Sequence, residues 1–163
     1  MTGDLPASVG VHGGGRMGAG IAHAFLVKGS TVVVVERDDV AAAAARERVT
    51  TTLAQAQDRG TLDDATAALR RLTVTSRPAD LADCALVVEA VLEDAALKAE
   101  VLAAVERLAP RAALATNTSS LSVDRLASSL ADPTNLIGLH FFNPVPASDL
   151  VEIVVGAERR RPS

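Results

Sequence analysis

The run Val9-Gly10-Val11-His12-Gly13-Gly14-Gly15-Arg16-Met17-Gly18 constrains this chain more than any other stretch. A short apolar segment ends in a G-x-G-x-x-G, and a helical pattern of Met17, Ile21, Ala24 and Phe25 begins at once. A second, β-branched run, Thr31 to Val35, then ends on Glu36, 23 residues past Gly13. Strand, glycine turn, helix, strand and acid in this register form the setting in which a backbone loop holds a dinucleotide. Gly13 permits the tight turn, Gly15 lets the backbone approach a pyrophosphate, and Gly18 lets the helix pack closely on the strand. The first helical turn, with Arg16 and Met17, offers free N–H groups and the positive end of the helix dipole to the phosphates. Glu36 is placed to accept hydrogen bonds from both hydroxyls of the adenosine ribose and would repel a 2′-phosphate. NAD is therefore expected over NADP, although Arg37 beside it could serve such a phosphate. The competing reading is a glycine-rich turn in some other α/β domain.

The strands must carry most of the core. Hydrophobic residues make up 48% of the 163, yet there is no Trp or Tyr and only three Phe, so Val, Leu, Ile and Ala fill the interior. That suits a parallel sheet covered by helices on both faces. A net charge of −4 gives no general attraction to nucleic acid or an anionic membrane. No stretch approaches the ~20 apolar residues of a membrane span. The opening Met-Thr-Gly-Asp-Leu-Pro lacks a signal peptide's basic and apolar segments, so the protein is expected to be cytoplasmic. The single cysteine, Cys84, reads as a buried strand residue, and no metal site is expected.

Apolar periodicity predicts strands over 8–12, 31–36, near Val74, and over 85–90, 112–116, 135–139 and 150–155. Helices are expected over 16–28, from Asp38 or Asp39 to 58, from a capping box at 61–64 to about 72, over 94–108 and over 122–130. The stretch from His140 to Pro146 is expected as a rigid loop, since prolines fix φ. Such alternation predicts a Rossmann-type, doubly wound α/β sheet of order 3-2-1-4-5-6, with ligands beyond the carboxyl ends of its strands. Glu36, Glu93, Asn117, Ser119, His140 and Asn143 all follow such ends and should converge on one crevice.

Taken singly, His140 could be a structural histidine, Glu152 an edge carboxylate, and Ser119 with Ser120 a helix cap. Together, Asn117-Thr-Ser-Ser-Leu-Ser, Gly138-Leu-His-Phe-Phe-Asn-Pro-Val-Pro and Leu150-Val-Glu152 carry more, beside the glycine loop and Val88-Glu-Ala-Val-Leu-Glu-Asp. The chain from about Val9 to Gly156 resembles the NAD-binding domain of the L-3-hydroxyacyl-CoA dehydrogenases, particularly the bacterial 3-hydroxybutyryl-CoA branch. The resemblance implies that His140 is the base for the 3-hydroxyl proton during hydride transfer, that Glu152 orients its imidazole, and that Ser119 binds the reacting oxygen. It also implies that Glu93, Lys98 and Asn143 contact the nicotinamide-ribose side of the cofactor. More weakly, it puts Thr52 and Arg59 against the coenzyme A of the acyl-CoA substrate, where the family has a Ser and a Lys.

Three departures from the family stand out. His12 occupies a usually apolar place and is expected as a half-buried strand-end histidine. Ser148-Asp149 replaces a more usual Met-Lys before Leu-Val-Glu. Family members continue into a helical domain of roughly 100 residues that closes the cleft, forms the dimer and carries a catalytic asparagine. Here residues 1–156 are expected as the NAD domain and 157–163 as an unstructured tail. Two readings follow: the catalytic half of a dehydrogenase, completed by a homodimer or a separate helical partner, or a truncated cofactor-binding domain with little activity of its own.

Overall fold

A computed structural model describes residues 5–157. Seven strands form one sheet of order β3-β2-β1-β4-β5-β6-β7. They are β1 (Ser8–His12), β2 (Thr31–Val35), β3 (Leu72–Thr75), β4 (Leu86–Glu89), β5 (Ala113–Thr116), β6 (Leu136–Phe141) and β7 (Val151–Val155). The first six run parallel, and β7 lies antiparallel on β6. The helices are α1 (Arg16–Val27), α2 (Asp39–Asp58), α3 (Ala65–Leu69), α4 (Ala95–Leu108) and α5 (Val123–Ala127). The Rossmann-type order expected from the sequence is present, with β7 added at the β6 edge.

Both faces of the sheet are covered, which is why its central strands are almost unbroken runs of valine. Val9, Val11, Val32, Val34 and Val88 pack with Ile21, Leu26, Val49 and Leu53 of α1 and α2. On the other face Val35, Val87 and Leu114 pack with Leu102 and Val105 of α4 and Leu126 of α5. Two of the three phenylalanines, Phe25 and Phe141, meet edge to face at 6.4 Å, tying α1 to the end of β6. Side chains close the helix starts, although the third helix opens at Ala65 with Asp64 as its cap rather than from a box at 61–64. Asp38, Asp64, Asp94 and Ser122 each accept a backbone N–H from the first turn of α2, α3, α4 and α5.

Several boundaries differ from expectation. The third helix stops at Leu69, because Leu72 is taken into β3 beside Val32. The fifth ends at Ala127 rather than Leu130. Cys84 is buried but precedes β4, its N–H donating to Leu81 O. The most consequential difference is at β6, where His140 and Phe141 belong to the strand and the loop begins only at Phe142. The parallel partner β5 is spent at Gly138, but β7 continues the ladder by pairing with His140 and Phe141. Of the expected unstructured tail only Ala157 is described, and its N–H is held by Asp124 Oδ1 at 2.8 Å. The rest of that expectation lies outside the described residues.

Candidate functional site

The glycine loop joins β1 to α1 at the carboxyl edge of the sheet. Gly13 has φ +99°, a conformation that favours glycine, and Gly13 N–H donates to Val35 O at 2.8 Å. A Cβ at Gly18 would lie 1.7 Å from Gly13 O, so only hydrogen fits where α1 crosses the loop. At Gly15 a Cβ would meet nothing within 4 Å, leaving open space over the loop. Unlike the other four α-helices, α1 has no side-chain cap, so its first N–H groups remain available to an anion. Glu36 closes the loop from the β2 side. Its Oε1 accepts Gly14 N–H at 2.7 Å, while Arg37 turns away to pair with Asp38 at 3.2 Å.

A cavity of about 440 Å³ opens beside the loop, lined by Gly15, Arg16, Met17, Glu93, Lys98, Asn117, Ser119, His140 and Asn143 among others. Strand pairing sets His140 opposite Glu152, and their side chains meet, Nδ1 to Oε2, at 3.1 Å. The His140 ring also rests against Phe142, with centroids 4.3 Å apart. When Nδ1 donates its proton to the carboxylate, Nε2 keeps a free lone pair, the state a proton acceptor needs. Asn117 Oδ1 accepts Phe141 N–H at 2.9 Å and so ties the end of β6 to the loop after β5.

Glu93 gathers that loop. Its Oε1 accepts from Thr118 Oγ1, from Ser119 N–H at 3.2 Å and from Ser120 N–H at 3.3 Å. Lys98 is 1% exposed, with Nζ meeting Glu89 Oε1 at 2.7 Å, Val91 O at 3.1 Å and Glu93 Oε2 at 3.3 Å. Its three protons thus have three acceptors within the protein. A direct contact from Lys98 to a ligand, as the sequence suggests, would require surrendering one of them.

A second, larger cleft of about 710 Å³ shares Arg16 and Asn143 with the first and runs between α2 and the 143–147 segment. Thr52 and Arg59 line it, as does Arg48, whose guanidinium also donates to Gly14 O at 3.2 Å. Thr52 Oγ1 donates to Val49 O at 3.0 Å and lies 3.1 Å from Nδ1 of the buried His23.

Known proteins share this sequence pattern and fold. The family profile described as 3-hydroxyacyl-CoA dehydrogenase, NAD binding domain, matches residues 8–161. The chain belongs to this family. A 3-hydroxybutyryl-CoA dehydrogenase of Mycobacterium tuberculosis is 43% identical over 155 residues, covering 93% of this chain and 54% of the relative. One from Bradyrhizobium diazoefficiens is 40% identical, covering 91% of this chain and 52% of the relative. The crystal structure of (S)-3-hydroxybutyryl-CoA dehydrogenase from Ralstonia eutropha superposes with a TM-score of 0.90 at 34% identity, over 95% of this chain and 56% of that one. The chain thus spans about half the length of the curated relatives it matches. Among the described residues no helix is long and apolar enough to cross a membrane.

Within this NAD-binding domain the titratable groups differ sharply in setting. Burial pushes the His12 imidazole below its usual value, only partly offset by Glu36, and its buried Nδ1 has no partner. His12 is half-buried at the end of β1, as expected. Burial and the neighbouring Asp83 push the Cys84 thiol up to about 11, leaving it a weak nucleophile. Burial would also raise Glu93, but the Thr118 hydrogen bond and the Lys98 charge prevail and hold it at about 2. Because that shift is downward, the stability supplied by ionised Glu93 is complete above its ordinary value of 4.5 and is lost as pH falls to about 2. We expect the stability gap between the wild-type chain and Glu93→Gln, read by chemical denaturation, to be level above about pH 5 and to close below it. A gap that persists at the acid end would mean that Glu93 is not the ionised hub of the 118–120 loop.

Sequence reasoning missed Glu89, Thr116 and Arg48 as parts of the site. The only signal for the first two is a pair of polar residues closing strands that are otherwise apolar.

Proposed function

We propose that this chain is the cofactor-binding half of an NAD-dependent L-3-hydroxyacyl-CoA dehydrogenase, which interconverts a 3-hydroxyacyl-CoA and a 3-oxoacyl-CoA. NAD, when bound, supplies the hydride acceptor. The glycine loop and the first turn of α1 hold the pyrophosphate, and Glu36 holds the ribose hydroxyls and disfavours a 2′-phosphate. His140 Nε2 takes the proton of the 3-hydroxyl as hydride leaves C3, while Glu152 keeps the proton on Nδ1 and balances the imidazolium. Ser119 hydrogen-bonds the reacting oxygen. Asn143 borders both clefts and contacts the nicotinamide-ribose side, and Glu93 acts there chiefly by fixing the loop that carries Ser119. Thr52 and Arg59, on the wall of the larger cleft, receive the coenzyme A.

The observation that carries this reading is the His140–Glu152 contact at 3.1 Å on the rim of the cavity beside the glycine loop. Ile153 and Val155 of the edge strand β7, and Leu150 just before it, are more than half exposed, and Leu92 on the lining of that cavity is 78% exposed. We propose that a helical half covers this surface and supports the family's dimer.

Acetoacetyl-CoA-dependent oxidation of NADH tests the proposal. The chain by itself is expected to bind NADH but to turn over at less than about a tenth of a two-domain relative's rate, because an open site weakens polar stabilisation of the transition state. Fusion to a relative's helical domain should restore the rate, with NADPH a poorer donor. A full rate from the chain alone would show that it needs no second domain. No rate in the fusion despite bound NADH would refute the assigned reaction.

A further inference from the structure

The buried ion pair beneath the cavity has a charge imbalance that the reaction described above does not use. Glu89, at the end of β4, is fully buried, and both of its oxygens are met by donors. Oε1 accepts Val91 N–H at 2.7 Å and Lys98 Nζ at 2.7 Å. Oε2 accepts Thr116 Oγ1 at 2.6 Å, and Thr116 Oγ1 in turn receives Thr118 N–H at 3.3 Å. Glu89 thus takes three contacts on its two oxygens, one of them from the Lys98 ammonium. Lys98 Nζ also reaches Glu93 Oε2 at 3.3 Å. Two carboxylates thus share one ammonium. A Lys98–Glu93 pair alone would be neutral, and Glu89 is the residue that makes the cluster negative by one unit. Lys98 is enclosed, whereas Glu93 is 38% exposed and faces the same cavity as Ser119 and His140.

A nicotinamide ring is positively charged when oxidised and neutral when reduced. A fixed negative charge within about 10 Å, in surroundings of effective dielectric near 20, distinguishes the two by roughly tenfold. We infer that the Glu89–Lys98–Glu93 cluster sets the relative affinity of this domain for NAD+ over NADH, with Glu89 as a positioning residue that touches neither cofactor nor substrate. The inference rests on the reading that the nicotinamide occupies the cavity beside His140. It makes the buried pair a means of biasing the bound redox equilibrium, beyond its support of the loop.

Calorimetric titration of NAD+, NADH and ADP-ribose into the chain tests this without any turnover. Glu89→Gln neutralises the cluster and should lower the NAD+ to NADH affinity ratio by roughly tenfold, leaving ADP-ribose affinity unchanged. Adding Lys98→Met to Glu89→Gln restores a net charge of minus one on Glu93, and the ratio should return to within about twofold of wild type. A purely structural role would instead make the double variant worse than the single one in all three titrations. Glu93→Gln, at a more exposed carboxylate, removes the same unit of charge and should lower the ratio in the same direction, which decides the matter if Glu89→Gln fails to fold. An unmoved ratio in these single variants, or a shift that the double variant does not reverse, would overturn the inference. Failure of the wild-type chain to bind NADH more tightly than ADP-ribose would instead refute the underlying placement of the nicotinamide.

Discussion

In a two-domain protein carrying this sequence, His140→Ala is expected to lower kcat by about 10²–10⁴-fold, the usual contribution of a positioned general base. NADH affinity should stay within about twofold, since the proposed contacts to the dinucleotide come mainly from the glycine loop, the first turn of α1 and Glu36. The separation of the two effects follows from the topology. His140 stands on β6, two strands beyond β4 and three from β1, where the glycine loop begins, so removing its ring leaves that loop untouched. Glu152→Gln should reproduce much of the loss while preserving the fold, because an amide can still accept from Nδ1 but cannot balance an imidazolium. Steady-state kinetics paired with NADH titration provide the check. Near-normal turnover in His140→Ala would remove this histidine from the mechanism.

Substitution in the glycine loop should have the largest effect on the fold. Gly18→Ala would place a Cβ 1.7 Å from Gly13 O and 2.8 Å from Gly13 C, both backbone atoms that a rotamer change cannot move. Overpacking of this kind costs about 3 kcal/mol or more when the backbone must shift. The displaced atoms belong to the turn proposed to hold the pyrophosphate, so NADH binding should be lost with the stability. Gly15→Ala is the informative contrast. Its Cβ would meet nothing within 4 Å, so the chain should fold with stability changed by less than about 1 kcal/mol while NADH binding still weakens. Denaturant titration and NADH binding on both variants separate the cases. A stable Gly18→Ala chain would contradict the close crossing of α1 over the loop, and unchanged NADH binding in Gly15→Ala would contradict the placing of the pyrophosphate.

The parts of this site legible in the sequence are those whose chemistry is local. The capping aspartates act within a turn of their own positions, and the glycines and the acid at the end of β2 stand at a spacing that the sequence pattern announces even though Glu36 reaches back to Gly14. His140 and Glu152 were legible only through the family resemblance, and the β6–β7 ladder is what sets these residues, 12 apart in sequence, face to face. What could not be read depends on contacts between distant segments. Lys98 was singled out only through the family resemblance, and its burial between Glu89 and Glu93 follows from the docking of α4 on the sheet. Thr116 and Glu89 are 27 residues apart and meet only because β4 and β5 are neighbours in register. The ladder of β7 also decides where β6 ends, so His140, expected in a loop, is held more firmly on a strand.

The claim that the nicotinamide end of the cofactor lies against His140 can be measured directly. The chain contains three histidines, His12, His23 and His140, so its imidazole carbon-bound proton resonances form a small, assignable set. Titration with NADH should shift the His140 signal strongly, whereas ADP-ribose, which lacks the nicotinamide, should bind and leave that signal nearly in place. The His23 signal, from the far side of the loop between α1 and α2, should move with neither. Saturable NADH binding that leaves His140 unmoved, or an equal shift with ADP-ribose, would contradict this account.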